Sequence, residues 1–304
     1  MPENHEATMT DPVLRGVKAS GRRPRSHAFA ASRSQLVSAF GVVLATVGCA
    51  PPGPRAPDSA TDALRRTVAV GAPLNANISV LQAGDTKGPR VIFVHGTPGS
   101  ATGWTDYVVN PPPGTEVLAL DRPGFGDSEP DGAVPGLAEQ AAAVFALLPQ
   151  DGRPVVLLGH SLGGPIVARV AAEHPDRITA LVLLAASLDP AQENTHPMQY
   201  VGAWRPVRSL LPRAIRNANA ELMALEPELQ ALALLLPRIS AKVVIVHGTA
   251  DDLVPVANVP FMQARLTGAR CVQTVLLPGR NHFLPWNSED TVRSAIRTAL
   301  EPAC

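Results

Sequence analysis

The stretch from Val155 to Ala172 constrains the fold of this chain more than any other. Val155-Val156-Leu157-Leu158 is apolar without alternation, as a strand covered on both faces of a sheet requires. Gly159-His160-Ser161-Leu162-Gly163-Gly164 follows, with glycines where a tight reversal leaves no room for side chains, and a helical pattern then runs through Ala172. A serine at the tip of such a strand–turn–helix unit is forced into strained backbone geometry and projects its hydroxyl into a cleft. Ser161 is therefore the candidate nucleophile.

Similar short apolar runs recur at Val91–Val94, Val117–Leu120, Leu181–Leu184, Val243–Val246 and Val272–Leu277, with helical patterns between them. This alternation predicts a mostly parallel central sheet flanked by helices, with Asn75–Gln82 as an antiparallel edge strand. From Asp189 to Leu236 the strand rhythm stops, and a small helical cap inserted over 189–236 is expected. Leu222, Leu225, Leu229, Leu232 and Leu236 recur at three-and-four spacing, one apolar stripe whose expected role is core packing rather than contact with lipid. Pro227 is expected to interrupt or start a turn of that helix.

The formal net charge of zero and pI near 7.1 leave no excess of positive potential for a nucleic-acid backbone. At 45% hydrophobic and 17% charged residues, the chain can bury a full core. Its first part reads differently. Arg15, Lys18, Arg22, Arg23, Arg25 and Arg33 precede an apolar run, Leu36–Val47, which is too short to span a bilayer but suits an export signal. The run ends Ala45-Thr46-Val47-Gly48-Cys49, which resembles the lipobox of bacterial lipoproteins, although Thr46 stands where that pattern prefers an aliphatic residue. The expectation is a lipoprotein-type signal over 1–49, export to the cell envelope, and membrane contact through lipid on Cys49. An ordinary signal peptide and a buried N-terminal helix are the alternatives. A Pro-rich linker over 50–63 then leads into a domain over 64–304. Cys271 precedes an apparent strand and Cys304 ends the helix after it. Because that helix runs back along its strand, the two cysteines are expected to meet and, in an oxidising compartment, to pair.

Around Ser161 the chain resembles the serine-nucleophile, esterase- or lipase-like branch of the α/β-hydrolase superfamily, and the resemblance covers most of residues 65 to 300. It implies the α/β-hydrolase fold and an oxyanion hole built from the backbone N–H of Leu162 and one from the loop His95-Gly96-Thr97-Pro98-Gly99-Ser100. Pro98 has no N–H, so the matching donor is Thr97. His247-Gly248-Thr249-Ala250-Asp251 resembles the turn that carries the family's acid. That implicates Asp251, with adjacent Asp252 and the more distant Asp189 as alternatives. Leu277-Pro278-Gly279-Arg280-Asn281-His282-Phe283 is similar to the terminal histidine loop, which makes His282 the base. Asp121-Arg122-Pro123-Gly124-Phe125-Gly126-Asp127-Ser128 resembles a family turn expected to be structural, with Arg122 or Phe125 lining the cleft as the alternative.

The reaction implied is cleavage of a small-molecule ester or related acyl substrate through an acyl-enzyme, without a cofactor. The leucine-rich cap suggests an uncharged, moderately apolar ester. Within the same family an aminopeptidase or carbon–carbon bond hydrolase is the alternative, and outside enzymes a catalytically silent envelope binding or scaffold protein. No histidine pair has helical metal-binding spacing and no Cys-x-x-Cys occurs, so no metal is expected.

Overall fold

The structure is a computed structural model that describes residues 58–304. The expected signal over 1–49, Cys49 and residues 50–57 of the expected linker lie outside the described residues. Eight strands form one sheet in the order β1-β2-β4-β3-β5-β6-β7-β8. They are β1 Arg65–Val70, β2 Ala76–Gly84, β3 Arg90–Val94, β4 Glu116–Leu120, β5 Val155–His160, β6 Ala180–Leu184, β7 Lys242–Gly248 and β8 Cys271–Leu277. Strands β3 to β8 are parallel, and β2 joins β4 and β1 in antiparallel register.

The sequence reading placed Asn75–Gln82 at the sheet edge; the edge is instead β1. Along β1 only Val70 is buried, while Arg66, Thr67 and Ala69 are exposed. An outer strand with so little to bury carries almost no apolar period.

The helices are α1 Asp58–Ala63, α2 Thr105–Val109, α3 Leu137–Phe145, α4 Gly163–Glu173, α5 Pro197–Ala203, α6 Arg205–Arg208, α7 Arg213–Ala233, α8 Asn258–Arg265, α9 Leu284–Asn287 and α10 Glu289–Leu300. The period-two geometry of the central strands divides the core in two. Ile92, Val94, Leu157, Leu181, Leu183, Val243 and Ile245 pack against α3, α4, α7 and α8. Their neighbours Val91, Phe93, Val156, Leu158, Val182, Val244 and Val246 face Trp104, Tyr107 and the Val292 and Ile296 side of α10. Sheet strands covered on both faces are thus the physical source of the unalternating apolar runs.

Between β6 and β7 lie α5, α6 and α7. Leu225, Leu229, Leu232 and Leu236 are buried in the first core and Leu222 packs on its margin. Pro227 sits inside α7 rather than at a break. It forfeits one backbone hydrogen bond, but buried Leu225 and Leu229 on either side anchor both halves of the helix.

Cys271 and Cys304 are joined in a disulfide, with Cα atoms 6.3 Å apart. Lys242, buried at the start of β7, donates from Nζ to the carbonyls of Thr298 at 2.7 Å and of Ala303. An ammonium suits this place, at and just past the C-terminal end of α10, where the helix dipole favours positive charge.

Candidate active site

Ser161 follows the last residue of β5 and adopts φ +55°, one of the few non-glycine residues in the left-handed region. Such a conformation costs on the order of 1–3 kcal/mol and persists only where neighbours over-determine it. Here the Ser161 N–H donates to Leu184 O at 3.1 Å, and its carbonyl accepts from Gly164 N at 2.9 Å and Ser187 N at 3.3 Å. The flanking glycines permit the turn. A Cβ at Gly159 would lie 2.3 Å from Gly163 O, and one at Gly163 would lie 2.3 Å from Val94 O.

The loop after β3 approaches the serine from the side. A Cβ on Gly96 would fall 2.7 Å from Ser161 Cβ and 3.2 Å from its Oγ, so only glycine lets the loop this close. Neither the Leu162 nor the Thr97 N–H donates to another protein group among the described residues. Leu162 is the N-cap of α4, whose N-terminal end favours negative charge.

His282 and Asp251 come from the loops after β8 and β7. His282 Nδ1 donates to Asp251 Oδ2 at 2.8 Å, both residues being buried. That bond fixes the tautomer in which Nε2 carries a free lone pair. Asp251 Oδ1 accepts from Val254 N at 2.8 Å and Leu253 N at 3.0 Å, which locks the carboxylate in its turn. Burial alone would raise the Asp251 pKa, but the hydrogen bond and positive potential of His282, with the Val254 amide and His247, hold it below the usual carboxylate range. Ser161 Oγ makes no direct hydrogen bond to His282 among the described residues; His160 links the two loops instead. The His160 Nε2–H donates to His282 O at 3.0 Å, and the rings are 4.7 Å apart. Serine–histidine contacts are often long in enzymes without substrate.

The alternative acids stand elsewhere. Asp252 is exposed, and Asp189 caps a short 3-10 turn by accepting from Ala191 N at 3.0 Å. Arg122, in the turn after β4, is fully buried and does not line an open cleft. It donates to His95 O at 2.9 Å and Gly96 O at 3.0 Å, and pairs with Glu221 of α7 at 2.6 Å. Glu221 also accepts from Thr97 Oγ1 at 2.6 Å and Gln140 Nε2 at 3.1 Å. One carboxylate from the cap thereby ties down both ends of the Gly96–Thr97 segment. Sequence reasoning missed Glu221, although it stands one helical turn before Leu225 and so in phase with the buried stripe. An acid in that register marks a buried charge that needs a partner. Glu221→Ala leaves Arg122 unpaired in the interior and is expected to cost about 3–5 kcal/mol of stability. Urea unfolding checks this, and a change below about 1 kcal/mol would show the network to be incidental.

Three histidines beside these motifs are buried and held neutral. Burial and then Arg122 push His95 well below the usual imidazole range. Burial and then His282 push His160 down to about 3, and burial lowers His247. The unfolded chain binds protons at these sites as pH falls through about 6.5, whereas the folded chain does so only at lower pH. Stability is therefore expected to fall as pH drops below about 6.5, with a slope of up to about 1.4 kcal/mol per pH unit for each histidine. Urea midpoints at pH 7.5, 6 and 5 measure it; a flat midpoint would contradict neutral burial. Asp251 acts in the same direction at lower pH: its depressed pKa contributes stability above about 3.8 that is lost as pH falls through the folded value.

The family model described as alpha/beta hydrolase fold matches residues 89–208. A pimeloyl-[acyl-carrier protein] methyl ester esterase of Aeromonas hydrophila is 28% identical over 225 residues, covering 61% of this chain and 86% of that protein. The sn-1-specific diacylglycerol lipase ABHD11 of Mus musculus is 29% identical over 157 residues, half of this chain and 49% of the lipase. The crystal structure of a hydrolase from Pseudomonas aeruginosa superposes with a TM-score of 0.60 over 78% of this chain and 98% of that one, at 20% identity, a likeness of fold.

Proposed function

Because this chain belongs to the α/β-hydrolase superfamily, we propose that it is a serine hydrolase that cleaves a carboxylic ester through an acyl-enzyme. The observation that carries the reading is Ser161 at φ +55° on the strand–helix turn, with the buried His282–Asp251 pair tied to the same turn through His160. A serine hydroxyl is weakly nucleophilic at neutral pH and needs a base of fixed tautomer. His282 Nε2 takes the Oγ proton as Oγ bonds to the carbonyl carbon. The Leu162 and Thr97 amides hold the oxyanion, and two such donors lower the barrier by about 3 kcal/mol each. The tetrahedral intermediate collapses with loss of the alcohol, which receives the proton from His282. Water, deprotonated by His282, then releases the acid and restores Ser161.

Relatives named as a methyl ester esterase and a diacylglycerol lipase support an ester as substrate. The leucines that suggested an apolar acyl group are packed in the core, so that ground for substrate preference falls away. Hydrolysis of p-nitrophenyl esters of graded acyl length tests the reading, with turnover of at least one chain length expected. No turnover of any ester by correctly folded protein would overturn it. Export and lipid attachment at Cys49 are proposed on the sequence of residues 1–49 alone, and the intact mass of the protein purified from its membranes checks them.

A further inference from the structure

The cap presents a surface that the core does not use. Tyr200 is 61% exposed, Trp204 64% and Leu210 85%, with Val201 beside them at 43%. Large apolar side chains rarely stand this far out of a folded domain in a cluster without a partner. The first three of these in chain order, Tyr200, Val201 and Trp204, lie on or just after α5. Its buried face is Gly202, packed toward Asn219 of α7, and Asn219 donates to Gln199 O at 2.9 Å. The cap is thus anchored on one side and leaves its aromatic side outward.

Charge is segregated on the same segment. Between Glu193 and Glu221 there is no acidic residue, while Arg205, Arg208, Arg213 and Arg216 all fall there, in a chain whose net charge is zero. Arg213 is occupied by loop carbonyls, donating to Gly126 O at 2.8 Å and Ser128 O at 2.7 Å. Arg205 and Arg208 are exposed and form no ion pair among the described residues. Guanidinium groups alternating with an indole, a phenol and aliphatic tips are the composition of a segment lying in a lipid headgroup layer. No helix among the described residues is long and apolar enough to cross a membrane, so the segment would lie on the surface rather than span it.

We propose that the α5–α6 face of the cap, Tyr200 to Leu210, docks on an anionic lipid surface. Arg205 and Arg208 would meet lipid phosphates, and Trp204 and Leu210 would enter the acyl boundary. An acidic protein surface would answer the arginines but leave these apolar side chains in water, so lipid is the better match. The inference rests neither on the hydrolase reading nor on Cys49.

Trp204 is its own probe, because Trp104 is buried and the other partly exposed indole, Trp286, lies on α9. Full-length protein is mixed with vesicles of phosphatidylcholine alone, or with one third phosphatidylglycerol, both carrying brominated acyl chains, and tryptophan quenching is followed. Quenching is expected on the anionic vesicles and lost in Trp204→Phe. Partitioning should weaken about fivefold for each of Arg205→Ser and Arg208→Ser at low ionic strength, and weaken again as salt rises. Vesicle binding with Trp204 unquenched would place attachment elsewhere and overturn the proposal. So would quenching that survives both arginine substitutions. Self-association abolished by Leu210→Ser, without quenching, would assign the face to a second copy of the chain. Arginine-dependent binding of polyglutamate with no quenching by vesicles would assign it to an acidic protein. Either result also overturns the lipid reading.

Discussion

Ser161→Ala is expected to reduce kcat for ester hydrolysis by about 10⁴- to 10⁶-fold, the scale seen when an activated serine is removed from a working constellation. Ser161 Oγ is the hydroxyl on the strained turn, and the substitution removes one atom while leaving the backbone to hold φ +55° through the Leu184 and Gly164 hydrogen bonds. KM should change little, because the pocket and the Leu162 and Thr97 amides are untouched. Folding should be retained as well, which thermal unfolding checks alongside steady-state kinetics. A loss below about tenfold would mean that hydrolysis proceeds without this serine.

Asp251→Asn is expected to lower kcat by about 10⁴-fold while Asp252→Asn and Asp189→Asn stay within about twofold of wild type. Asparagine keeps the oxygen that accepts the Leu253 and Val254 amides, so the turn survives. Its amide nitrogen, however, would face His282 Nδ1 as a donor. The imidazole would then place its proton on Nε2, where it can no longer accept one from serine. Asp252 is exposed and Asp189 caps a turn, so neither loss reaches His282. The three variants, compared by kinetics on one ester, decide among the acids that the sequence alone left open. Equal losses in Asp251→Asn and Asp252→Asn would contradict the geometry.

The fold was legible where strands are covered on both faces. Six apolar runs of the sequence became β3 to β8 within a residue or two; for β3 to β7 the cause is burial on both faces, which suppresses polar residues regardless of tertiary detail, whereas β8 is an outer strand that keeps its apolar run although Val275 and Leu276 are exposed. The outer strand β1 escaped because one exposed edge needs little apolar surface. Pro227 misled for the opposite reason: its local preference is against helix, and packing of Leu225 and Leu229 overrides it. At the site, Ser161 was a candidate from its strand–turn–helix setting, whereas His282 and Asp251 followed only from the family resemblance, with Asp252 and Asp189 left open; the 2.8 Å bond from His282 to Asp251 is what favours Asp251. The Glu221–Arg122 pair could not be named from sequence, since its partners are separated by 99 residues and only the docking of α7 over the turn after β4 brings them together. The disulfide was legible because a helix returning along its strand brings Cys304 back to Cys271.

The central claim is that Ser161 is an activated nucleophile, and covalent labelling tests it most directly. Purified protein is treated with a fluorophosphonate and digested, and the adduct is located by mass spectrometry in wild type, Ser161→Ala and His282→Ala. A single adduct on Ser161, absent from the first variant and strongly slowed in the second, is the predicted result; an unlabelled but folded wild type, or an adduct on another residue, would contradict the account.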